Sequence, residues 1–370
     1  MESSLYILII FSIAYTLVNA LLWKGLRLLR YSQANTEKQN LSVIIAARNE
    51  SVNIKRCIES LTAQNYPTDK FEIIVANDRS TDNTKEIVSE LAKIHSNVRL
   101  LNIEKISSDM PSKKFALSQA IAISSFDILV FTDADCFAEK NWLQEVSNNF
   151  TSEVGAVAGY SPNDFSELHN YFGKTFLRYE ELKNSIGAAA GITLRNAFMC
   201  TGRNFAYRKS LFHQVGGFEK IKHSISGDDD LFIQLLQKET HCTMRYMTSA
   251  ESFVTTTPPL SFQKFITQRI RHISASKYYP LKIKLLYAVI HLCNIISLTA
   301  LFFIPLYGLV YFLLKINIDA VTLVKSEKYF KEKFSLIEFV LGELFFVLYN
   351  IIIGPLGYIL NFSWKGEQKN

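Results

Sequence analysis

The 370-residue chain lacks the glycine signatures of common nucleotide chemistry. Neither G-x-G-x-x-G nor G-x-x-x-x-G-K-[ST] occurs, which argues against a dinucleotide fingerprint and a P-loop. It also has little cysteine. Its five cysteines, Cys57, Cys136, Cys200, Cys242 and Cys293, form no C-x-x-C pair and leave an odd count. That speaks against a disulfide scaffold and fits a reduced compartment. Charge of one sign is scarcely in excess: 40 Lys plus Arg against 34 Asp plus Glu give +6, too mild a bias to imply a nucleic-acid partner. There is no internal repeat and no low-complexity tract, so solenoids and arrays are set aside. The N-x-S/T triplets at Asn40, Asn149 and Asn361 are read as chance in a reduced compartment.

What the chain does have is apolar sequence, 48% of it, concentrated towards its two ends. Residues 5–23, LYILIIFSIAYTLVNALLW, carry no charge and are about long enough to span a bilayer. Lys24, Arg27 and Arg30 come next, whereas Glu2 alone precedes. The positive-inside bias therefore places the chain beyond residue 24 in the cytoplasm. Val18-Asn19-Ala20 resembles a cleavage site, but no basic region precedes it and the apolar run continues past it. An uncleaved anchor is expected. Residues 285–314, with Pro305 inside, suit one tilted helix or a hairpin continuing through 321–324. Lys325, Lys328, Lys331 and Lys333 prefer the cytoplasm and favour the hairpin. Residues 334–362 contain Glu338, Glu343 and a Gly354-Pro355 break, which predicts a re-entrant or interfacial segment. The expected organisation is an anchor at 1–30, an α/β domain at 40–280, and two to three membrane segments in 281–370.

Between the apolar ends, strands and helices alternate. LSVIIAARNES reads as a buried strand and a turn in which Asn49 or Ser51 caps a helix with apolar face Ile54, Ile58 and Leu61. FEIIVANDRSTDNT repeats the pattern, with a strand at 71–76 and a helix presenting Ile87, Val88 and Leu91. A strand near 98–103, a helix around 114–124 and a strand at 126–131 come after it. Such alternation predicts a parallel α/β sheet, in which ligands bind beyond the carboxyl ends of the strands. Polar groups stand at three such ends: Ala47-Arg48-Asn49-Glu50, Asn77-Asp78 with Asp82, and Asp133 with Asp135 in FTDADCF. Two carboxylates one residue apart repel unless a cation or a hydrogen-bond donor lies between them. That pattern suits a divalent-metal site or an Asx-rich turn. In SGDDDLFIQLLQK (226–238) three aspartates open a helix, more than capping needs, so at least one is assigned to chemistry. QRIRHISASKYYP (268–280) offers Gln268, Arg269 and Arg271 for lipid headgroups or for clamping a diphosphate.

The ordered set SVIIAARNE, VANDRSTDNT, FTDADC, GRNFAY, GDDDL and QRIRH, spanning residues 41 to about 280, resembles membrane-bound family 2 glycosyltransferases with the GT-A fold. The resemblance implies inverting transfer from a nucleotide-diphosphate sugar, foremost a UDP-sugar, with Mg²⁺ or Mn²⁺. Matched by position, Ala47, Glu50 and Asp78 fall where the family contacts the nucleotide base and ribose, and Lys114 falls near the donor. Asp133 and Asp135 match the metal-binding D-x-D. Asp228 takes the position of the general base, with Asp229 and Asp230 beside it. Gln268, Arg269 and Arg271 match a Q-x-x-R-W element that binds the donor diphosphate or the acceptor. Gly227 stands where many members have Glu, and His272 where many have the acceptor-stacking Trp of polymerising synthases. The implied acceptor is a lipid, a polyprenyl-linked glycan or a surface polysaccharide. The implied location is a bacterial inner membrane, with the catalytic domain cytoplasmic and no nucleic-acid partner. Two rival readings are a haloacid-dehalogenase-type phosphatase and a non-catalytic membrane scaffold. The phosphatase is disfavoured by Phe137 two residues beyond the aspartate pair and by the two strand-turn units preceding it.

Overall fold

A computed structural model describes residues 2–29, 37–168, 170–360, 363–364 and 367–368. Arg30 and Asn361 lie outside them. Helix α1 (Glu2–Leu28) leads to β1 (Leu41–Ala47), α2 (Ile54–Thr62), β2 (Phe71–Asp78), α3 (Thr84–Ile94), β3 (Val98–Ile103), α4 (Ser112–Ile123) and β4 (Ile128–Phe131). Then come β5 (Cys136–Ala138), α5 (Trp142–Asn149), β6 (Val154–Gly159), α6 (Tyr171–Thr193), β7 (Phe205–Arg208) and α7 (Lys209–Gln214). The chain continues through α8 (Asp230–Glu239), β8 (Thr243–Met247), β9 (Val254–Thr256), α9 (Phe262–Ser274), α10 (Leu281–Phe303), α11 (Pro305–Phe330) and α12 (Leu336–Ile359). These elements fall into two compact units.

The first unit, Arg30–Asp164 with Ile192–Pro258, is built on a seven-stranded sheet of order β3-β2-β1-β4-β7-β6-β8. β1 pairs in parallel with β2 and β4, and β2 with β3. β7 runs antiparallel to β4 and to β6, and β8 lies parallel to β6. The mostly parallel α/β sheet expected from the alternation is therefore present, with antiparallel β7 inserted. β2 is buried at every position, as a strand covered on both faces must be. Ile54, Ile58 and Leu61 of α2 join Val43, Ile45, Ile73 and Val75 in one core cluster. Each such buried aliphatic contributes about 1.5–3 kcal/mol.

Capping of α2 departs from the expectation. The residue at its N-cap is Asn53, without a side-chain cap bond. Asn49 instead adopts φ 55°, and its Oδ1 accepts from Thr81 N at 2.8 Å. Ser51 N donates to Asp82 Oδ2 at 3.0 Å. Both residues tie the loop after β1 to the loop after β2, so the side chains read as caps are used as staples or left aside.

The second unit comprises Met1–Leu29, Phe165–Gly191 and Pro259–Asn370. α6 and α9, which lie inside the 40–280 segment, cluster here with the apolar helices. α1, α10, α11 and α12 are long and apolar enough to cross a membrane. The 285–314 block is a hairpin: it breaks at Ile304, and Pro305 opens α11 at a position where its missing N–H costs nothing. Gly308 lets the two arms meet, since a Cβ there would lie 2.4 Å from the Ala300 carbonyl.

In the last block the expected break at Gly354-Pro355 is absent, because α12 is continuous through Pro355. Pro355 lies inside the helix near its end, where it removes one backbone hydrogen bond. Glu338 forms a capping box with Ser335 at the helix start. Glu343 accepts from Lys315 and from the Tyr179 hydroxyl. That contact belongs to a buried polar group drawn from four helices. Lys315 Nζ also donates to Asp319 Oδ2 at 3.0 Å, Lys183 of α6 pairs with Asp319 Oδ1, and Tyr15 OH donates to Asp319 Oδ1 at 2.7 Å. Two cations balance two anions, which is how charge is tolerated in an apolar bundle.

Candidate functional site at the strand ends

The parallel register aligns the carboxyl ends of β1, β2 and β4, with Ala47 opposite Asn77 and Ile44 opposite Phe131. The loops leaving those ends carry the polar residues singled out above. Asp133 and Asp135 follow β4, and Gly227-Asp228-Asp229 open α8 in the same unit. Lys113, at the start of α4, joins these two carboxylate sets. Its Nζ lies 3.0 Å from Asp133 Oδ1 and 2.9 Å from Asp228 Oδ2. Burial disfavours the ammonium, but Asp133, then Asp228 and Asp229, outweigh it and hold the Lys113 pKa above the usual lysine range.

The three aspartates have separate environments. Burial works to raise the Asp228 pKa, but Lys113 and then Lys114 bring it below the ordinary carboxylate range. Asp229 caps α8, with Oδ1 accepting from Asp230 N at 2.7 Å and Oδ2 from Gly202 N at 2.9 Å. Burial and the neighbouring Asp228 push its pKa up. Asp230 lies in the first helical turn, its Oδ1 accepting from Leu231 N. Gly227 has φ 90°, and a Cβ there would meet Leu231 Cδ1 at 2.5 Å, so the position that is often Glu in the resembling family is closed to a side chain here.

Lys114 is wholly buried, and its Nζ donates to the carbonyls of Ser224, at 2.5 Å, and Ser226, at 2.7 Å. It thus ties down the loop that leads into Asp228. Burial lowers its pKa to about 8, against the opposing pull of Asp228 and Asp230. At the β2 end, Asp78 is flanked by Arg79 at 2.7 Å and Arg48 at 3.8 Å, and Arg79 Nη2 donates to Ser112 Oγ at 2.7 Å. Arg79 has φ 53°, a strained setting for a residue with a side chain. Glu50 N donates to Thr84 Oγ1 at 2.8 Å, and Ala47 is buried at the strand end.

Gln268, Arg269 and Arg271 lie together on α9 of the helical unit. Arg269 is buried and paired with Glu180 of α6, and its Nη1 donates to Gln268 Oε1 at 3.2 Å. Arg271 Nη2 contacts His272 Nε2 at 2.8 Å. Two residues that the sequence pattern did not single out, Lys113 and Arg203, contribute to the sheet unit's site. Arg203 Nε donates to Ser161 Oγ at 2.6 Å, and its charge acts on Asp135. The GRNFAY motif contains Arg203 without marking it, and Lys113 sits beside Lys114, the lysine that the resemblance points to.

The cation implied by the resemblance fits this donor set. Burial raises the Asp135 pKa, and Asp133 and Glu50 raise it further, so negative charge is crowded where the aspartate pair ends β4. Among the described residues no cluster of three or more His, Cys, Asp or Glu forms a closed metal cage. Mg²⁺ seldom needs one, because it takes one or two carboxylates and completes its shell with phosphate and water.

Comparison with known proteins agrees with this geometry. Residues 42–216 match the family "Glycosyl transferase family 2". Glycosyltransferase AglE of Haloferax volcanii is 30% identical over 194 residues, covering 51% of this chain and 58% of that protein. The probable glycosyltransferase YdaM of Bacillus subtilis is 28% identical over 253 residues, 66% of this chain and 57% of that one. The chain thus spans less than two thirds of the length of these relatives. The mannosyltransferase PcManGT of Pyrobaculum calidifontis, solved with GDP-Man and Mn²⁺, is similar in fold over 96% of this chain and 99% of its own, at TM-score 0.58 and 19% identity. The strand-end carboxylates, the mixed but mostly parallel sheet and these likenesses converge: residues 42–216 form a glycosyl transferase family 2 segment, on the GT-A fold.

Proposed function

We propose that this chain transfers a sugar, with inversion, from a nucleotide-diphosphate sugar to an acceptor at the membrane. The observation that carries the reading is the sharing of one ammonium, Lys113, by Asp133 at the β4 end and Asp228 at the α8 start. Asp228 is held as a carboxylate, the form a general base requires. It takes the proton of the acceptor hydroxyl as that oxygen bonds to the anomeric carbon. The bond from that carbon to the diphosphate oxygen breaks in the same displacement, and the nucleoside diphosphate leaves with the electron pair. One displacement inverts the anomeric centre, and no covalent sugar–enzyme intermediate is needed. Asp133 and Asp135 are the residues that would hold Mg²⁺ or Mn²⁺, which neutralises charge on a diphosphate when bound. Lys113 adds a fixed positive charge beside them, and Lys114 holds the Asp228 loop in place. Ala47, Glu50 and Asp78 line the strand ends where base and ribose donors are accepted.

A nucleotide-sugar donor is supported by the fold shared with PcManGT, whose structure contains GDP-Man. A UDP-sugar is the first candidate here. Four apolar helices in the same chain support an acceptor that resides in the bilayer, such as a lipid, a polyprenyl-linked glycan or a growing surface polysaccharide. Such a protein resides in a bacterial inner membrane with the sheet unit in the cytoplasm. The test uses purified protein in detergent with Mn²⁺, screened against UDP- and GDP-sugars for nucleoside-diphosphate release. One donor should be turned over, and both EDTA and Asp135→Ala should abolish the signal. Release unaffected by both would remove the metal from the proposal, and no release with any donor, lipid extract included, would overturn the transferase reading.

A further inference from the structure

One cavity of the helical unit is lined by basic residues that take no part in the proposed sugar chemistry. It is about 930 Å³ and lies between the carboxyl-terminal ends of α1 and α11. Its lining includes Lys24 and Arg27 of α1, Lys325 and Lys328 of α11, and Lys331 and Lys333 just beyond, against a single acidic residue, Glu327. Trp23 and Tyr329 also line it, with Lys325 Nζ 5.6 Å from the Trp23 ring and Lys328 Nζ 4.5 Å from the Tyr329 ring. Helix carboxyl termini attract cations, and Lys331 serves that end directly, its Nζ donating to Lys328 O at 3.1 Å. Two helix dipoles and the cytoplasmic preference of basic side chains explain the end of the bundle at which these six cations lie, and the fold then gathers them around one cavity. Like charges so placed repel, and an anion among them relieves the repulsion.

The surface beside the cavity indicates what kind of anion. Ala20 and Val324 form its apolar side, and Leu17 and Val321, one turn further into each helix on the same faces, are exposed. A cationic recess that opens onto exposed aliphatic helix surface matches an amphiphile with an acidic headgroup. The aromatic residues stand where interfacial Trp and Tyr are commonly found. We propose that this cavity binds the phosphate headgroup of an anionic phospholipid of the surrounding bilayer, with the acyl chains along α1 and α11. Basic recesses between helices on a cytoplasmic face recognise such headgroups elsewhere. The inference rests on the helices spanning a membrane, and it does not depend on the sugar chemistry.

Purified full-length protein in detergent is titrated with phosphatidylglycerol or phosphatidylcholine, and bound lipid is counted by native mass spectrometry. Phosphatidylglycerol should bind at least about 10-fold more tightly. The double variant Arg27→Gln/Lys325→Gln should lose that preference, whereas Lys55→Gln/Lys93→Gln, on the sheet unit, should keep it. Equal binding of the two lipids by the wild type, or an unchanged preference in the first variant, overturns the proposal. If that variant fails to fold, the wild type at about 1 M salt decides, since a charge-held headgroup is released where the Debye length is about 3 Å. Retention there overturns the proposal. Equimolar displacement by a polyprenyl phosphate would also overturn it, by giving the cavity to the acceptor.

Discussion

Lys113 Nζ stands 2.9 Å from Asp228 Oδ2 and 3.0 Å from Asp133 Oδ1, so one ammonium links the proposed base to a proposed metal ligand. The three residues come from different elements, α4, the loop after β4 and the start of α8. Their convergence depends on the sheet's register, and a change in the central residue is felt by both carboxylates.

Lys113→Met should therefore lower kcat by about 10²-fold or more and weaken donor binding. It should also cost about 1–3 kcal/mol of stability, because two partly buried carboxylates lose their shared partner. Lys113→Arg should restore the stability more fully than the rate, since a planar guanidinium cannot reproduce a compact ammonium. Steady-state kinetics and thermal melts of both variants in detergent check this. Wild-type rates in Lys113→Met would confine the lysine to a structural role.

Asp228 and Asp229 should separate in their effects. Asp228→Asn keeps size and hydrogen bonding but removes basicity, so kcat should fall by about 10²-fold or more while donor affinity changes little. Asp229→Ala removes the α8 cap and the partner of Gly202 N, and should cost about 1 kcal/mol in stability. Kinetics at saturating donor, alongside melting curves, distinguish them. Near-normal turnover in Asp228→Asn with collapse in Asp229→Asn would move the base by one residue.

Lys114 gives a pH signature. Its folded-state pKa of about 8 lies below that of an exposed lysine, about 10.4. Between those values the unfolded chain binds more protons than the folded one, so this group makes stability rise with pH across that window. Below pH 8 both states are protonated, and its burial cost is present in full. The melting temperature of wild type relative to Lys114→Met should accordingly increase from pH 8 to pH 10. A flat difference would mean that Lys114 titrates normally. At pH 7 the variant should still be less stable, since the carbonyls of Ser224 and Ser226 lose their donor.

Orientation is open to direct labelling. Cys57, Cys136, Cys200 and Cys293 are buried and can stay in place, so a Cys242→Ser background suffices. Lys93→Cys, on the exposed face of α3, should react with an impermeant thiol reagent only after cells are permeabilised. Reaction in intact cells would place the sheet unit outside and away from cytosolic nucleotide sugars.

The parallel sheet was legible because β1 and β2 are apolar almost throughout and end in polar loops. The position of Asp133 and Asp135 was legible because a short apolar strand ending in polar residues marks a strand-end loop. Lys113 was not legible, since successive helix positions diverge by about 100° and only distant partners decide which of two adjacent lysines faces Asp133. The grouping of α6 with the apolar helices was hidden for a similar reason. Lys183 meets Asp319 across 136 residues, a relation that no local pattern expresses. Glu343 suggests an interrupted final segment only while its partner Lys315, on another helix, is out of view.

The charges shared among α1, α6, α11 and α12 also constrain the order of assembly during synthesis. Tyr15 leaves the ribosome 304 residues ahead of Asp319, which accepts the hydrogen bond of its hydroxyl. Lys315, Asp319 and Glu343 must enter an apolar phase in helices whose neutralising partners include a side chain of α6. A hairpin of α10 and α11 inserted alone would carry Asp319 with Lys315 but without Lys183, and α12 would bring Glu343 afterwards. The bundle therefore closes last, after the whole sheet unit has been made. Its polar centre is fully paired only when α1, α6, α11 and α12 have met.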